Sequence, residues 1–157
     1  SIKNVEKLKN YYYNNLQLLK RYPFFTEDYE IELERAYELR INEIIEQMLE
    51  QARERIKLMH DPKEIKQFID ELMEKALEMG LMDEQRNVIN DMYELRQDEI
   101  KKEKIEEIFS HLRSITDKGK LKEYWEIIKG YLYENRFFFG KEFEIMIARE
   151  FDKVHGG

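Results

Sequence analysis

The side chains that most often bind metals or catalyse reactions are scarce in this sequence, which has 3 histidines. Glu107 and His111 are one helical turn apart and could hold a metal ion between them, but two ligands at this spacing arise often by chance. His60 and His111 both lack the glutamate three residues earlier that di-iron bundles use. We therefore predict no metal site and no cofactor.

Phosphate-binding and nucleophilic motifs are also absent from the sequence. A P-loop needs a glycine five positions before its Gly-Lys pair and a Ser or Thr after it, whereas Gly140-Lys141 has Asn135 and Glu142 at those places. None of the three serines lies between glycines as in a nucleophile elbow. With no cysteine there is no thiol nucleophile, no disulfide and no cysteine-ligated metal. We expect a protein that is not an enzyme.

The composition predicts an all-α fold. The 157 residues include 39% charged and 42% apolar residues with only 2 Pro and 6 Gly, as is typical of long helices. No apolar run approaches the roughly 18 residues that cross a bilayer, and the first ten residues lack the apolar stretch of a signal peptide. We expect a cytoplasmic protein without membrane contact.

Apolar residues recur at steps of three and four, which predicts five to six helices in an elongated bundle and no β-sheet. The breaks are predicted at Pro23, at 60–62, at Gly80, at 116–120 and at 135–140. The second helix has no Gly or Pro up to 60–62 and should be about 50 Å long. The fourth is either one helix of similar length or two, because 96–104 contains one apolar residue. Continuity is favoured, since that stretch has no Gly, Pro or Ser.

Several individual residues have predicted roles at the helix ends and crossings. Thr26 and Asp83 are predicted N-caps, and Gly80 is a predicted C-terminal glycine. Gly130 is predicted to mark a close helix crossing. The whole chain, 1–157, is predicted to be a single domain, with 80–83 and 116–120 as candidate points of subdivision.

Two short segments, RYPFF at 21–25 and NRFFFG at 135–140, each place an arginine next to consecutive aromatics. No helix or strand can bury three neighbouring side chains on one face. The rings are therefore either lids of a core or anchors of an interface, and we expect Phe138 or Phe139 to meet a partner. The predicted partner contacts are Arg21, Tyr22, Phe24, Phe25, Arg136, Phe137, Phe138 and Phe139.

Charge is distributed unevenly along the chain, whose net charge is −7. Residues 1–25 carry five basic and one acidic side chain, whereas residues 26–62 carry five basic and eleven acidic ones. An acidic whole argues against a protein that coats nucleic acid, but local basic segments can still touch phosphates. The residues that would do so are Lys7, Lys9, Lys20, Lys101, Lys102 and Lys104.

Three functions remain open from the sequence. The first is a non-enzymatic helical protein–protein interaction module that self-associates or belongs to a larger complex, because so long a second helix exceeds what one compact domain covers. The alternative is a small helical subunit that contacts RNA or DNA in a nucleoprotein assembly. The third is a helical enzyme or small-ligand carrier.

Overall fold

The computed structural model describes the backbone of residues 2–156 and the side chains of residues 5–154. This part of the chain contains no strand, which confirms the all-α prediction. Its seven helices are α1 (Ile2–Leu19), α2 (Glu27–Ile56), α3 (Pro62–Glu78), α4 (Asp83–Ser114), α5 (Lys118–Glu134), α6 (Arg136–Phe139) and α7 (Lys141–Gly156). The helix beyond the predicted six is α6, a single four-residue turn within the second aromatic segment.

The two long helices are confirmed, since α2 has 30 residues and α4 has 32. Helix α4 continues without a break through 96–104, as predicted. Ile100, the apolar residue of that stretch, is buried together with Arg96. The stretch is therefore anchored to a core at two points one helical turn apart, which explains why its polar sequence remains helical.

Side-chain and backbone hydrogen bonds fix several helix ends. Gly80 has a φ of 71°, and Leu81 N donates to Ala76 O at 3.0 Å, which is the glycine-closed helix end that was predicted. Thr26 occupies the N-cap position of α2 without a side-chain cap bond. The prediction that Asp83 caps α4 is wrong, because it is the first helical residue and Gln85 Oε1 accepts from Met82 N at 3.0 Å.

Helix α5 begins earlier than predicted, inside the segment 116–120 that the sequence indicated as a turn. Asp117 is its N-cap, and its Oδ1 accepts from Gly119 N at 2.7 Å. A strong cap thus starts the helix despite the glycine in its first turn. The prediction of a close helix crossing at Gly130 is also wrong, since nothing lies within 4 Å of where a Cβ would be.

The chain forms two compact units, each made of two separate segments. The segment Glu71–Ile89 of unit 1 begins inside α3 and ends inside α4. Unit 1 contains residues up to Leu58 together with Glu71–Ile89, and unit 2 contains Met59–Asp70 and residues from Asn90 onward. The prediction of a single domain stays a prediction.

Unit 1 contains the antiparallel pair α1 and α2. Tyr12 and Tyr37 stack across the pair with ring centroids 4.2 Å apart. The pair is well packed only over part of its length, because the first residue of α2 that is buried is Ile44. The remaining core side chains of this unit are Val5, Leu16, Ile45, Leu49, Ala52, Ile56, Leu72, Ala76, Met79, Leu81 and Ile89.

Unit 2 is built around aromatic and branched side chains from α3, α4, α5, α6 and α7. Helices α5, α6 and α7 pack on one another. The buried apolar side chains of this unit are Ile65, Ile69, Met92, Ile100, Ile108, Leu112, Leu121, Leu132, Phe138, Phe139, Phe143, Ile147 and Phe151.

Candidate interaction surfaces

The turn between α1 and α2 carries the first aromatic segment and has a defined backbone. Tyr22 N donates to Leu19 O at 3.0 Å, and Phe25 N donates to Tyr22 O at 3.1 Å. Lys20 Nζ lies 3.2 Å from Glu30 Oε1 and so links the end of α1 to the start of α2. The backbone that carries the aromatic side chains of this turn is therefore held by hydrogen bonds and by one ion pair. We call Tyr22, Phe24, Phe25 and Tyr29 the hairpin tip.

Most of the aromatic surface of the hairpin tip faces solvent. Tyr22 is 54% exposed, Phe24 66% and Tyr29 55%, while Phe25 is half-buried. Tyr22 stacks on Phe24 with ring centroids 5.3 Å apart, and Phe25 lies parallel to Tyr29 at 6.4 Å. The four rings are thus arranged in two pairs, and three of the four remain more than half exposed.

The reason for this exposure lies in α2. From Glu27 to Glu43 no residue of the helix is buried, although this half contains Tyr29, Leu33 and Tyr37. Acidic residues crowd its first turn, where Glu27, Asp28 and Glu30 suit the positive end of the helix dipole. Arg21 is exposed on the preceding turn. Along the chain, the exposed rings of the hairpin tip are thus preceded by an arginine and accompanied by the carboxylates of the first turn of α2.

The second aromatic segment has a different role from the one predicted. Phe138 is 1% exposed and Phe139 is 2% exposed, so the prediction that either ring meets a partner is wrong. The one-turn helix α6 points these two rings inward, where Phe138 meets Tyr93 with ring centroids 6.0 Å apart. Gln97 Nε2 donates to Phe138 O at 3.1 Å and secures the backbone of this turn. The two rings are lids of the unit 2 core.

Phe137 alone of the triplet remains accessible, at 48% exposed. Arg136 lies beside it and binds Glu144 through two hydrogen bonds, from Nε to Oε2 at 2.6 Å and from Nη2 to Oε1 at 3.1 Å. This pairing raises the pKa of Arg136. The Arg136 guanidinium also lies over the ring of Tyr133, 5.0 Å from its centroid. Arg136, Phe137 and Tyr133 therefore form a smaller exposed surface in unit 2.

The six lysines predicted as nucleic-acid contacts are divided equally between the two units. In unit 1, Lys20 pairs with Glu30, Lys9 Nζ donates to Met79 O at 3.5 Å, and Lys7 lines a groove between α1 and α2. In unit 2, Lys104 Nζ lies 3.2 Å from Glu107 and 4.8 Å from the centroid of Tyr131. Lys101 is half-buried and Lys102 is exposed.

The possible metal ligands do not converge. In the part of the chain that the structure describes, no three His, Asp or Glu side chains are grouped to hold a metal ion. His111 instead packs edge-on against Tyr124, with ring centroids 4.4 Å apart. His60 Nδ1 lies 3.2 Å from Nη2 of the buried Arg96.

Among the described helices, none has the length and apolar character required to cross a membrane.

Comparisons of the chain with protein-family models, with curated proteins and with solved structures found no match.

Two features of these surfaces were not found from the sequence. Tyr29 belongs to the hairpin tip, yet it lies four residues beyond RYPFF, near the start of the predicted second helix, and had no predicted role. Arg40 lines the groove between α1 and α2. It was not singled out because residues 26–62 contain more acidic than basic side chains. A residue-by-residue helical projection of the exposed face could have indicated both.

Proposed function

We propose that this protein is a non-enzymatic helical interaction module that self-associates through the hairpin tip. The observation that carries the proposal is the stacked pair Tyr22 and Phe24, whose rings are both more than half exposed on a turn fixed by backbone hydrogen bonds. Burial of such rings is favourable, at about 25 cal/mol per Å² of apolar surface. A chain that keeps them in water forgoes this stabilisation unless a partner covers them.

The amount of exposed surface supports an interface. An aromatic side chain can bury about 150–250 Å², so three rings that are more than half exposed present an apolar patch of roughly a few hundred Å². Patches of about 300–600 Å² are the largest on typical monomers and are often functional. Interface hot spots are also enriched in Tyr and Arg, and here Arg21 adjoins Tyr22.

Charge complementarity supports a second copy of this chain as the partner. In a two-fold symmetric contact the same surface faces itself in opposite orientation. Arg21 of one copy can then approach Glu27 and Asp28 of the other, at the positive end of α2 where these acids lie. Such opposite charges at an interface rim guide association more than they add affinity. The aromatic rings would supply the affinity.

We propose no catalytic role for any residue. We also propose a cytoplasmic location, and fractionation of cells that express the tagged chain would test it.

Self-association is tested by size-exclusion chromatography with light scattering at low micromolar concentration. We expect a mass about twice that of the 19.4 kDa chain. A monomer at all concentrations would contradict the proposal.

The variant Tyr22→Ser/Phe24→Ser tests whether the hairpin tip is the contact. We expect it to be a monomer with unchanged helix content, because neither ring is part of a core. The matched control is Tyr133→Ser, which removes an equally exposed ring from unit 2 and should leave the mass unchanged.

A further inference from the structure

An open groove with a volume of about 720 Å³ is lined by residues of α1 and α2. This volume is within the range of about 300–1,000 Å³ that small-molecule sites occupy. All of its residues belong to unit 1. They are Lys7, Leu8 and Tyr11 from α1 and Arg40, Ile44, Gln47, Met48 and Gln51 from α2.

The charged side chains that line the groove are basic, although the protein as a whole is acidic. Its lining holds two cations, Lys7 and Arg40, and no carboxylate, in a chain with a net charge of −7. The adjacent Glu43 accepts from Arg40 Nη1 at 2.9 Å. Both partners of that pair are about half exposed, so solvent weakens it. A guanidinium has five N–H donors, and this bond leaves Arg40 able to hold an anion as well.

The remaining side chains of the groove suit an aromatic ligand. Tyr11 is 68% exposed and lies one helical turn from Lys7, so its ring is open beside a cation. Gln47 and Gln51 are one turn apart on α2. Their amides can both donate and accept hydrogen bonds, as the edge of a nucleobase requires. The apolar side chains of Leu8, Ile44 and Met48 provide the surface beneath them.

We propose that this groove binds a nucleoside phosphate, either as a free nucleotide or as a unit of a single strand. Lys7 and Arg40 hold the phosphate, the ring of Tyr11 stacks on the base, and Gln47 and Gln51 bond to the edge of the base. Aromatic stacking combined with backbone-tracking cations is how proteins bind single strands without strong sequence preference. The site is distinct from the hairpin tip and does not depend on self-association.

Two probes distinguish the sources of this ligand. A fluorescently labelled single-stranded 20-mer is titrated by anisotropy at about 50 mM salt, and adenosine monophosphate is titrated by calorimetry. Binding of the 20-mer alone identifies a strand as the ligand, and binding of the mononucleotide identifies a free nucleotide. Absence of binding to both at protein concentrations up to about 100 µM overturns the proposal.

Variants of the groove locate the binding. We expect Lys7→Gln/Arg40→Gln to lower affinity at least about tenfold and, for the strand, to reduce the slope of log K against log salt by about 1.4. The control Arg35→Gln/Lys57→Gln makes the same charge change on exposed positions of unit 1 outside the groove.

The aromatic contact has its own pair of variants. Tyr11→Ala should weaken binding by about five- to a hundredfold, whereas Tyr11→Phe keeps the stacking face and should bind as the wild type does. Tyr13→Ala removes a comparably exposed ring from the same helix and serves as the control. Equal losses in groove and control variants, or no loss in the groove variants, would overturn the assignment.

Discussion

The rings of Phe139 and Phe143 stack on each other, with centroids 5.0 Å apart and planes inclined by 21°. In the sequence, Phe139 precedes Gly140 and Phe143 follows it. Both rings are buried. Gly140 has a φ of 83° and a ψ of 161°, a backbone conformation that is open essentially to glycine alone. This conformation separates α6 from α7 while it keeps two core rings in contact, so a single glycine shapes the aromatic core of unit 2.

Replacement of Gly140 should therefore destabilise the protein. Gly140→Ala forces a Cβ into a strained backbone conformation at a cost of about 1–3 kcal/mol. Gly130→Ala is the matched control, because Gly130 is inside α5 with open space around it, and alanine there should stabilise by about 0.5–1 kcal/mol. Urea unfolding measures both. If Gly140→Ala were as stable as the wild type, the backbone at position 140 would not require glycine.

The aromatic triplet should divide into two kinds of residue. Phe138→Ser and Phe139→Ser each remove a buried ring and should cost about 3–5 kcal/mol, which lowers the melting temperature by around ten degrees. Phe137→Ser should change the melting temperature far less, since about half of that ring is already in water. Thermal melts followed by circular dichroism decide the matter. Three equal losses would mean that Phe137 also belongs to the core.

The buried Arg96 should stabilise unit 2 through one carbonyl group. Its Nε and Nη2 donate to Met59 O at 3.1 and 2.8 Å, and its Nη1 donates to Glu99 Oε2 at 2.8 Å. Arg96→Met leaves the carbonyl without these donors, and we expect a loss of about 1–3 kcal/mol. Arg96→Lys should recover only part of it, because an ammonium cannot form the two parallel bonds.

The control for Arg96 is Arg113→Met on the same helix, where the side chain is exposed. Urea unfolding of the three variants provides the comparison. A loss in Arg113→Met as large as that in Arg96→Met would show that charge, and not the bond to Met59, is responsible.

Stability should fall at alkaline pH because burial raises the pKa of Tyr131 and of Tyr93. The folded state disfavours the phenolate, so the stabilisation is complete below the ordinary tyrosine pKa of about 10. It is lost as the pH rises from that value through the raised pKa of the folded state. Melting temperatures between about pH 8 and 11 should decline less steeply in Tyr131→Phe. The exposed Tyr133→Phe is the control, and identical profiles would exclude this contribution of Tyr131.

Much of the fold could be predicted from the sequence because it depends on local signals. The apolar spacing located the long helices, and Gly80 ended α3 as predicted. The direction of the rings in RFFF could not be predicted, since it depends on the one-turn helix α6 and on the bond between Gln97 and Phe138 O. Likewise, the exposure of Tyr29 depends on which helices fail to cover the first half of α2. The direction and the exposure of these rings are determined by tertiary packing, which produces no periodic pattern in the sequence.

The most direct test of self-association through the hairpin tip uses the fact that the chain has no cysteine. Thr26→Cys places one thiol beside Phe25 without removing a ring or a charge, because Thr26 is exposed and makes no side-chain cap bond. Arg113→Cys places one on an exposed position of unit 2. Both are treated with a short thiol-specific bifunctional reagent at low micromolar concentration. We predict a cross-linked dimer for Thr26→Cys that is lost when Tyr22→Ser/Phe24→Ser is added. Equal cross-linking of the two cysteine variants, or none in Thr26→Cys, would contradict the proposed function.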